Sequence, residues 1–402
     1  MGLTGPVFVS QIGTTFAEYL CSPFVLGALI LLIPADAGAR PGAHALALAG
    51  LLLGAAAGLK PVNLVYSLGM GVALAALRVR LRLLAWYLAG LACGVLVSGG
   101  YWGAHLWSAS GNPTFPYWNA VFRSPLWTPT NFTDLRFVPQ SVVHAAVTYP
   151  MAWFVELHPT SELPFRDPRF ALLAAFLPVA GIATAVRRVR GDPGAGLTTG
   201  PVYRFWLLAV FFTVSYLIWL RAFGIQRYLL PLELTAGVLL LSSLDRLLRT
   251  RRELVVVFTL LASFSILWSR PADWGRVPYG RDWVGLVNAP RGASTLYVMV
   301  GGGEPMGYVV PWLPRLDRFV RLTGNTPLEP DSPLGGRAQV AITSHAGPIR
   351  SLSVHPLSPD DRGRLGRFGL APADESSCVA FRTRMDRFIA CKLTRTAAPP
   401  GA

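Results

Sequence analysis

Through the first two thirds of the chain the apolar residues come in long unbroken runs, neither alternating nor confined to one helical face. Eight runs stand out, at about 14–34, 43–59, 61–77, 83–107, 169–186, 205–220, 228–245 and 254–269. A bilayer-spanning helix takes about 20 apolar residues, so the pattern predicts an α-helical polytopic membrane protein with about eight transmembrane helices. The second and third runs are short and meet at LKPVN (Leu59–Asn63), where Pro61 forces a break. They read as two short spans or as one helical hairpin.

Beyond residue 269 the runs stop and short segments typical of a small α/β domain take over. STLYVMV (Ser294–Val300), Arg318–Leu322, Ala338–Ser344 and Arg350–His355 read as strands. Gly301–Gly303 follow the first of them. GGGEP leads into Pro305 without the lysine of a phosphate-binding loop, so it reads as a tight turn. The expected domains are therefore a transmembrane domain over 1–269, with an outer loop at 108–168, and a C-terminal domain over 270–402.

Composition agrees. The chain is 52% hydrophobic and only 14% charged, where soluble domains carry about 25% charge. The net charge of +15 is almost entirely arginine; Lys60 and Lys392 are the lysines. Much of that charge sits in short loops between apolar runs: Arg40; Arg78, Arg80 and Arg82; Arg187, Arg188, Arg190 and Arg204; Arg246, Arg249, Arg251 and Arg252. Every second loop belongs to this set. The positive-inside rule places these loops in the cytoplasm, and the outer loop, Arg221–Arg227 and the C-terminal domain on the other side. The pattern points to membrane topology and anionic lipid rather than to nucleic acid. With eight passes the first residue would also lie outside, although MGLTGPVFVSQIG is no signal peptide. The expectation is that an odd number of helices precedes the sequence; the alternatives are a protein whose N-terminus lies outside or a miscounted hairpin.

CVAFRTRMDRFIAC (Cys378–Cys391) reads as a hairpin centred between Arg384 and Met385. That register sets Phe381 opposite Phe388, Val379 opposite Ala390, and Cys378 opposite Cys391. Directly opposed residues lie about 4.5–5.5 Å apart, which suits a disulfide, and an oxidising extracytoplasmic compartment fits the topology. Cys21 and Cys93 fall in apolar runs and read as packing residues.

No zinc-ligand spacing, nucleotide-binding motif or nucleophile elbow is present, so neither a metal nor a cofactor is expected. The informative residues are charges close to membrane depth, because burying them is expensive. Lys60 sits in the apolar hairpin. Arg221 and Arg227 frame RAFGIQR, Glu233 follows RYLLPLE, and Glu18 lies in GTTFAEYL. Each alone reads as snorkelling or an internal ion pair; together they suggest a polar cavity near the outer leaflet. The outer loop adds a surface-lying helix in SVVHAAVTYPMAWFVE, with Val143, Val147, Met151 and Phe154 on one face. His144 and His158 lie beside it. TSELPFRDPR adds Glu162, Arg166 and Asp167.

GNPTFPYWNAVFRSP, TSELPFRDPR, GIQRYLLPLE and GTTFAEYL together resemble bacterial integral-membrane glycosyltransferases of the GT-C superfamily. The resemblance implies transfer of a sugar from a polyprenyl-phosphate carrier to an acceptor on the outer face of the cytoplasmic membrane. The acidic motif that such enzymes carry in their first outer loop has no counterpart here. On this reading Lys60, Arg221 and Arg227 meet the phosphate. Glu18, Asp134 and Glu162 are the candidate bases. The proline-pinned stretch Gly111–Asp134 roofs the site, with Trp118 against sugar or lipid and Arg123 near phosphate. Two alternatives remain: a transporter or polymerase of lipid-linked oligosaccharides, which favours inverted repeats, and a non-catalytic membrane scaffold.

Overall fold

The computed structural model describes residues 1–33, 40–132, 134–157, 159–190, 200–290, 294–324 and 328–396. His158 lies outside them. The helices, in order, are α1 (Pro6–Gln11), α2 (Glu18–Leu32), α3 (Ala43–Leu59), α4 (Leu64–Ala76), α5 (Leu81–Ser110), α6 (Asn119–Phe122), α7 (Val142–Phe154), α8 (Arg169–Val189), α9 (Gly200–Ala222), α10 (Leu230–Leu247) and α11 (Arg251–Trp268). All eight apolar runs are helical. Four segments are long and apolar enough to cross a membrane: Leu81–Ser110, Arg169–Val189, Gly200–Ala222 and Gln226–Leu247. The helices of the first three runs are shorter. The helix α11 begins with Arg251, Arg252 and Glu253, which interrupts its apolar character. Among the described residues, four helical segments thus qualify by length and composition as candidate spans.

Two compact units emerge: Met1–His105 with Thr133–Arg276, and Leu106–Phe132 with Val277–Ala402. The division differs from the expected one, because part of the outer loop groups with the C-terminal residues.

In the first unit α10 packs against α2, α8, α9 and α11, while α4 packs along α9 and α2 along α3. The helices α9 and α10 are the most enclosed, with Phe205, Phe211, Leu220, Leu232 and Leu239 wholly buried. Small residues let backbones touch, the usual route to helix association where lipid removes the hydrophobic drive. On α3 a methyl group at Gly54 would lie 2.1 Å from Leu91 O of α5, and on α5 one at Gly94 would lie 2.2 Å from Leu51 O. Ser98 Oγ on α5 donates to Ala55 O at 3.0 Å. The apolar face expected on α7 is present: Val143, Val147 and Met151 are exposed, and Trp153 faces the core.

The second unit contains a five-stranded sheet. Its strands are β1 (Leu296–Met299), β2 (Arg318–Arg321), β3 (Ile349–Leu352), β4 (Leu370–Pro372) and β7 (Lys392–Arg395), in the order β2-β1-β3-β7-β4. The first three are parallel, and β7 runs antiparallel to β3 and β4. The segment Ala338–Ser344, read from its sequence as a strand, belongs instead to α12 (Pro333–Ser344). Ser332 caps it by accepting from Gly335 N, Pro333 occupies its first turn, and Ala338 and Ile342 share its buried face. A second helix, α13 (Pro359–Arg367), is closed by a capping box between Ser358 and Asp361.

The strands β5 (Val379–Arg382) and β6 (Arg387–Ala390) form a hairpin in which Val379 faces Ala390 and Phe381 faces Phe388. Cys378 and Cys391 are joined by a disulfide. The hairpin packs Phe381 and Phe388 beneath Tyr297, Met299 and Leu352.

The stretch Gly111–Phe132 owes its order to asparagines as much as to prolines. Asn112 and Asn119 are fully buried. Asn112 Nδ2 donates to Tyr117 O (2.9 Å) and to Asn119 Oδ1 (3.2 Å). Asn119 Nδ2 donates to Thr128 O (2.9 Å), and its Oδ1 accepts from Ser124 N (2.9 Å). Trp118 and Arg123, in left-handed backbone on either side of α6, are exposed.

Candidate functional site

The first unit brings charged residues from five loops and helix ends into one cluster. Glu18 opens α2. Lys60 follows α3, which ends because Pro61 cannot continue it. Asn63 Nδ2 seals that end by donating to Ala56 O and Lys60 O, both at 3.1 Å. Lys60 Nζ lies 2.5 Å from Glu18 Oε1. Arg227 sits on the 3-10 turn Gln226–Leu229 that leads into α10. Its Nε is 3.8 Å from the same Glu18 oxygen, and its Nη1 is 3.8 Å from Glu162 Oε2. Arg136 closes the chain of charges, 3.9 Å from Glu162 and paired through two nitrogens with Asp134, the shortest contact 2.7 Å.

Hydrogen bonds from several directions fix this arrangement. Trp219 Nε1 donates to Ile225 O (2.8 Å), Gln226 N to Thr160 O (2.8 Å), and Gln11 Nε2 to Arg227 O (3.3 Å). Tyr66 donates its hydroxyl to Tyr228 O. Trp153 Nε1 in turn holds Thr160 Oγ1 at 3.0 Å. Gly224 has φ +64°, and a methyl group there would lie 2.0 Å from Phe137 O. Only glycine permits that approach, which brings the Asp134–Phe137 loop alongside the Arg227 turn.

Aromatic rings frame the cations. Lys60 Nζ lies 4.9 Å from the centre of the Tyr228 ring, and Arg227 Cζ lies 5.2 Å from the rings of both Phe16 and Tyr228. Such contacts add to binding of a partly desolvated cation. Phe16 also lines a shallow open groove with Gln11, Thr14 and Tyr19. Lys60, Arg227 and Glu162 remain partly open to solvent, whereas Glu18 is buried and its Oε2 has no partner among the described residues. The hydrogen bond from Arg136 holds the Asp134 carboxyl below the usual carboxylate range.

Glu18, Lys60, Asp134, Glu162 and Arg227 therefore come together. Arg221 does not join them: it is exposed at the end of α9 and forms no ion pair among the described residues. Trp118 and Arg123 belong to the second unit. Arg136, Phe16 and Tyr228 were missed in the sequence; the acid–x–base spacing of Asp134 and Arg136 was the available signal.

Glu233, expected near the cations, is committed elsewhere. Its carboxylate accepts from Val7 N (2.9 Å) and Phe8 N (2.8 Å). Nearby, Arg169 is wholly buried. It donates to Asp167 Oδ1 (2.9 Å), Ser269 Oγ (2.8 Å), Met1 O (3.1 Å) and Thr4 O (2.9 Å). Burial pushes the Asp167 carboxyl above its ordinary value, and Arg169 opposes the shift. With its donors consumed by the protein, this centre anchors the segment around α1.

Among the described residues no three histidine, cysteine, aspartate or glutamate side chains group as metal ligands. No protein-family model matches the chain, and no curated protein or solved structure matches it significantly.

Proposed function

We propose that the chain is a membrane glycosyltransferase of the GT-C type, moving a sugar from a polyprenyl phosphate to an acceptor hydroxyl on the outer face of the cytoplasmic membrane. The observation that carries this reading is the convergence of Lys60 and Arg227 on one carboxylate, with both cations partly open and flanked by aromatic rings. A phosphate can share or replace Glu18 as their partner. Charge-assisted hydrogen bonds from two cations suit a phosphate monoester or diester, and the rings suit a sugar or an isoprenoid chain. The disulfide and the arginine-rich alternate loops support an extracytoplasmic C-terminal domain.

In the reaction, the acceptor oxygen attacks the anomeric carbon, the bond from that carbon to the phosphate oxygen breaks, and the electron pair leaves with the phosphate. Lys60 and Arg227 stabilise the departing charge. Glu162, partly exposed and loosely held by Arg136 and Arg227, takes the acceptor proton. Glu18 lies buried beneath Lys60 and serves to position the cations. Asp134 is committed to Arg136.

The test is binding of a polyprenyl phosphate to the protein in detergent. Arg227→Ala and Lys60→Ala should each weaken it roughly ten- to hundred-fold, the loss of one charge-assisted contact of about 1.5–3 kcal/mol. Unchanged affinity in both variants would falsify the site. One observation favours a scaffold instead: three carboxylates already balance Lys60, Arg136 and Arg227. That reading expects no phosphate affinity.

A further inference from the structure

The helix α7 has two unlike faces. Ala145, Tyr149 and Trp153, four residues apart, pack into the core, and Ala145 and Trp153 are buried. Val143, Val147 and Met151 recur at the same spacing on the other side and are 82%, 64% and 45% exposed. Val155 and Leu157 carry this apolar surface past the end of the helix.

At its carboxyl end α7 meets the end of α11. The Phe154 ring centre lies 6.0 Å from that of Phe264 and 5.8 Å from that of Trp268, and Trp268 Nε1 donates to Phe154 O at 2.9 Å. The helix α11 itself exposes Val255, Val256, Leu260 and Leu267. Three aromatic rings thus join the apolar stripe of α7 to the apolar surface of α11.

Two arginines stand at this junction. Arg166 precedes the candidate span Arg169–Val189 by three residues, and Arg270 follows the end of α11 by two. Their backbones pair antiparallel: Arg166 N donates to Arg270 O (2.9 Å), and Arg270 N donates to Arg166 O (3.1 Å). One carboxylate ion-pairs with both. Glu156 Oε2 is 3.1 Å from Arg166 Nε, and Glu156 Oε1 is 2.7 Å from Arg270 Nη1. The neighbouring acid, Asp167, is committed to the buried Arg169. Two guanidiniums against one carboxylate leave a positive charge in excess. Arg166 Cζ lies 5.0 Å from the centre of the Trp268 ring, and the Arg270 side chain is 60% exposed.

The place in the chain sets the level. Residues just outside the start of a spanning helix lie among the lipid headgroups, the layer in which tryptophan is enriched. An apolar helical stripe next to arginines is the pattern of a helix lying in that layer. Exposed apolar patches mark surfaces that something covers. A lipid surface covers this one, and its phosphates supply the missing negative charge.

We propose that this face is an anionic phospholipid site. The helix α7 lies in the headgroup layer with Val143, Val147 and Met151 against the acyl chains, and Arg166 and Arg270 hold the phosphate of one lipid. The occupant is a lipid of the surrounding bilayer, not the polyprenyl phosphate assigned to Lys60 and Arg227. The site stands independently of the transferase reading.

The test uses full-length protein in phosphatidylcholine nanodiscs doped with a phosphatidylglycerol that carries a photoactivatable diazirine beside its headgroup. After irradiation, lipid adducts are mapped by peptide mass. They should appear on peptides covering 151–157 and 264–272, and unlabelled phosphatidylglycerol should compete them away where inorganic phosphate does not. Arg166→Gln and Arg270→Gln should each reduce these adducts about fivefold, the effect of one basic residue beside an anionic lipid surface. Arg270→Lys should retain them. A nitroxide at Val147→Cys, in a Cys93→Ser background, should be reached by oxygen more readily than by a water-soluble nickel chelate. Four results would overturn the proposal: no adducts on either peptide, adducts undiminished in both glutamine variants, competition by inorganic phosphate equal to that by the lipid, or a Val147 label open to the chelate or shielded from both reagents by a second copy.

Discussion

Lys60 Nζ and Arg227 Nε approach a single oxygen, Glu18 Oε1, at 2.5 and 3.8 Å. They arrive from the end of α3 and the start of α10, two segments far apart in the chain. A second positive charge beside a satisfied ion pair is unfavourable unless another anion compensates. Glu162 supplies part of that compensation from 3.8 Å.

Glu18→Gln separates the phosphate-binding reading from the scaffold reading. Removing the shared carboxylate leaves Lys60 and Arg227 short of negative charge. Stability should fall by about 1–3 kcal/mol, as for loss of a charged hydrogen-bond partner. A phosphate ligand no longer competes with the carboxylate, so polyprenyl phosphate should bind more tightly than to wild type. Weaker binding in a folded Glu18→Gln protein counts against the phosphate site.

Gly224→Ala addresses how the cluster is assembled. The substitution places a methyl group against Phe137 O and demands a left-handed backbone. A cost of about 1–3 kcal/mol is expected, with a lower melting temperature in detergent. Exchange should quicken in the peptide containing Asp134 and Arg136, because that loop is what the glycine admits.

The Arg169 centre should tolerate Glu233→Gln better than Glu233→Leu. Two carboxylates, Asp167 and Glu233, accompany one buried guanidinium, so a neutral acceptor at 233 keeps the charges balanced. The amide oxygen can still accept from Val7 N or Phe8 N. Leucine leaves both amides without their acceptor, each costing about 1–3 kcal/mol if it stays buried. Equal melting temperatures for the two variants would contradict the assigned role.

Asp317 gives the C-terminal domain a definable pH response. Its carboxylate accepts from Thr295 N at 2.8 Å, and burial raises its pKa above the ordinary aspartate value, with the Thr295 hydrogen bond and His345 opposing. A raised folded-state value means the native state holds the proton more tightly than the unfolded chain. The stabilisation is complete below the unfolded value and is lost as pH rises through the folded one. Asp317→Asn keeps the acceptor and removes the titration. The difference in melting temperature between wild type and variant should shift in the variant's favour as pH rises through that window. A pH-independent difference refutes the assignment.

Eight helices were legible because each apolar run is continuous and bounded by proline, glycine or clustered arginine, all local signals. The hairpin register and the Cys378–Cys391 pair were legible for a similar reason: a two-residue period about a short turn leaves one alignment that stacks Phe381 on Phe388. Locality also explains the errors. Ala338–Ser344 carries the β-branched Val340, Ile342 and Thr343, but Ser332 and Pro333, several positions upstream, start a helix that carries through it. The number of crossings depends on helix length against bilayer thickness, which runs of borderline length do not settle.

Charge identity, too, was written in the sequence: a lysine, arginines and glutamates beside apolar helices announce themselves by their cost. Which of them meet was decided only in three dimensions. Glu233 and Arg227 are six positions apart, yet one caps α1 and the other turns toward Glu18, because the 3-10 turn before α10 rotates their side chains to different sides. Arg136 joins the cluster only because Gly224 lets its loop approach, and no periodicity encodes a contact between residues so distant along the chain. Partner choice among charges depends on distance and desolvation, and both are properties of the folded packing.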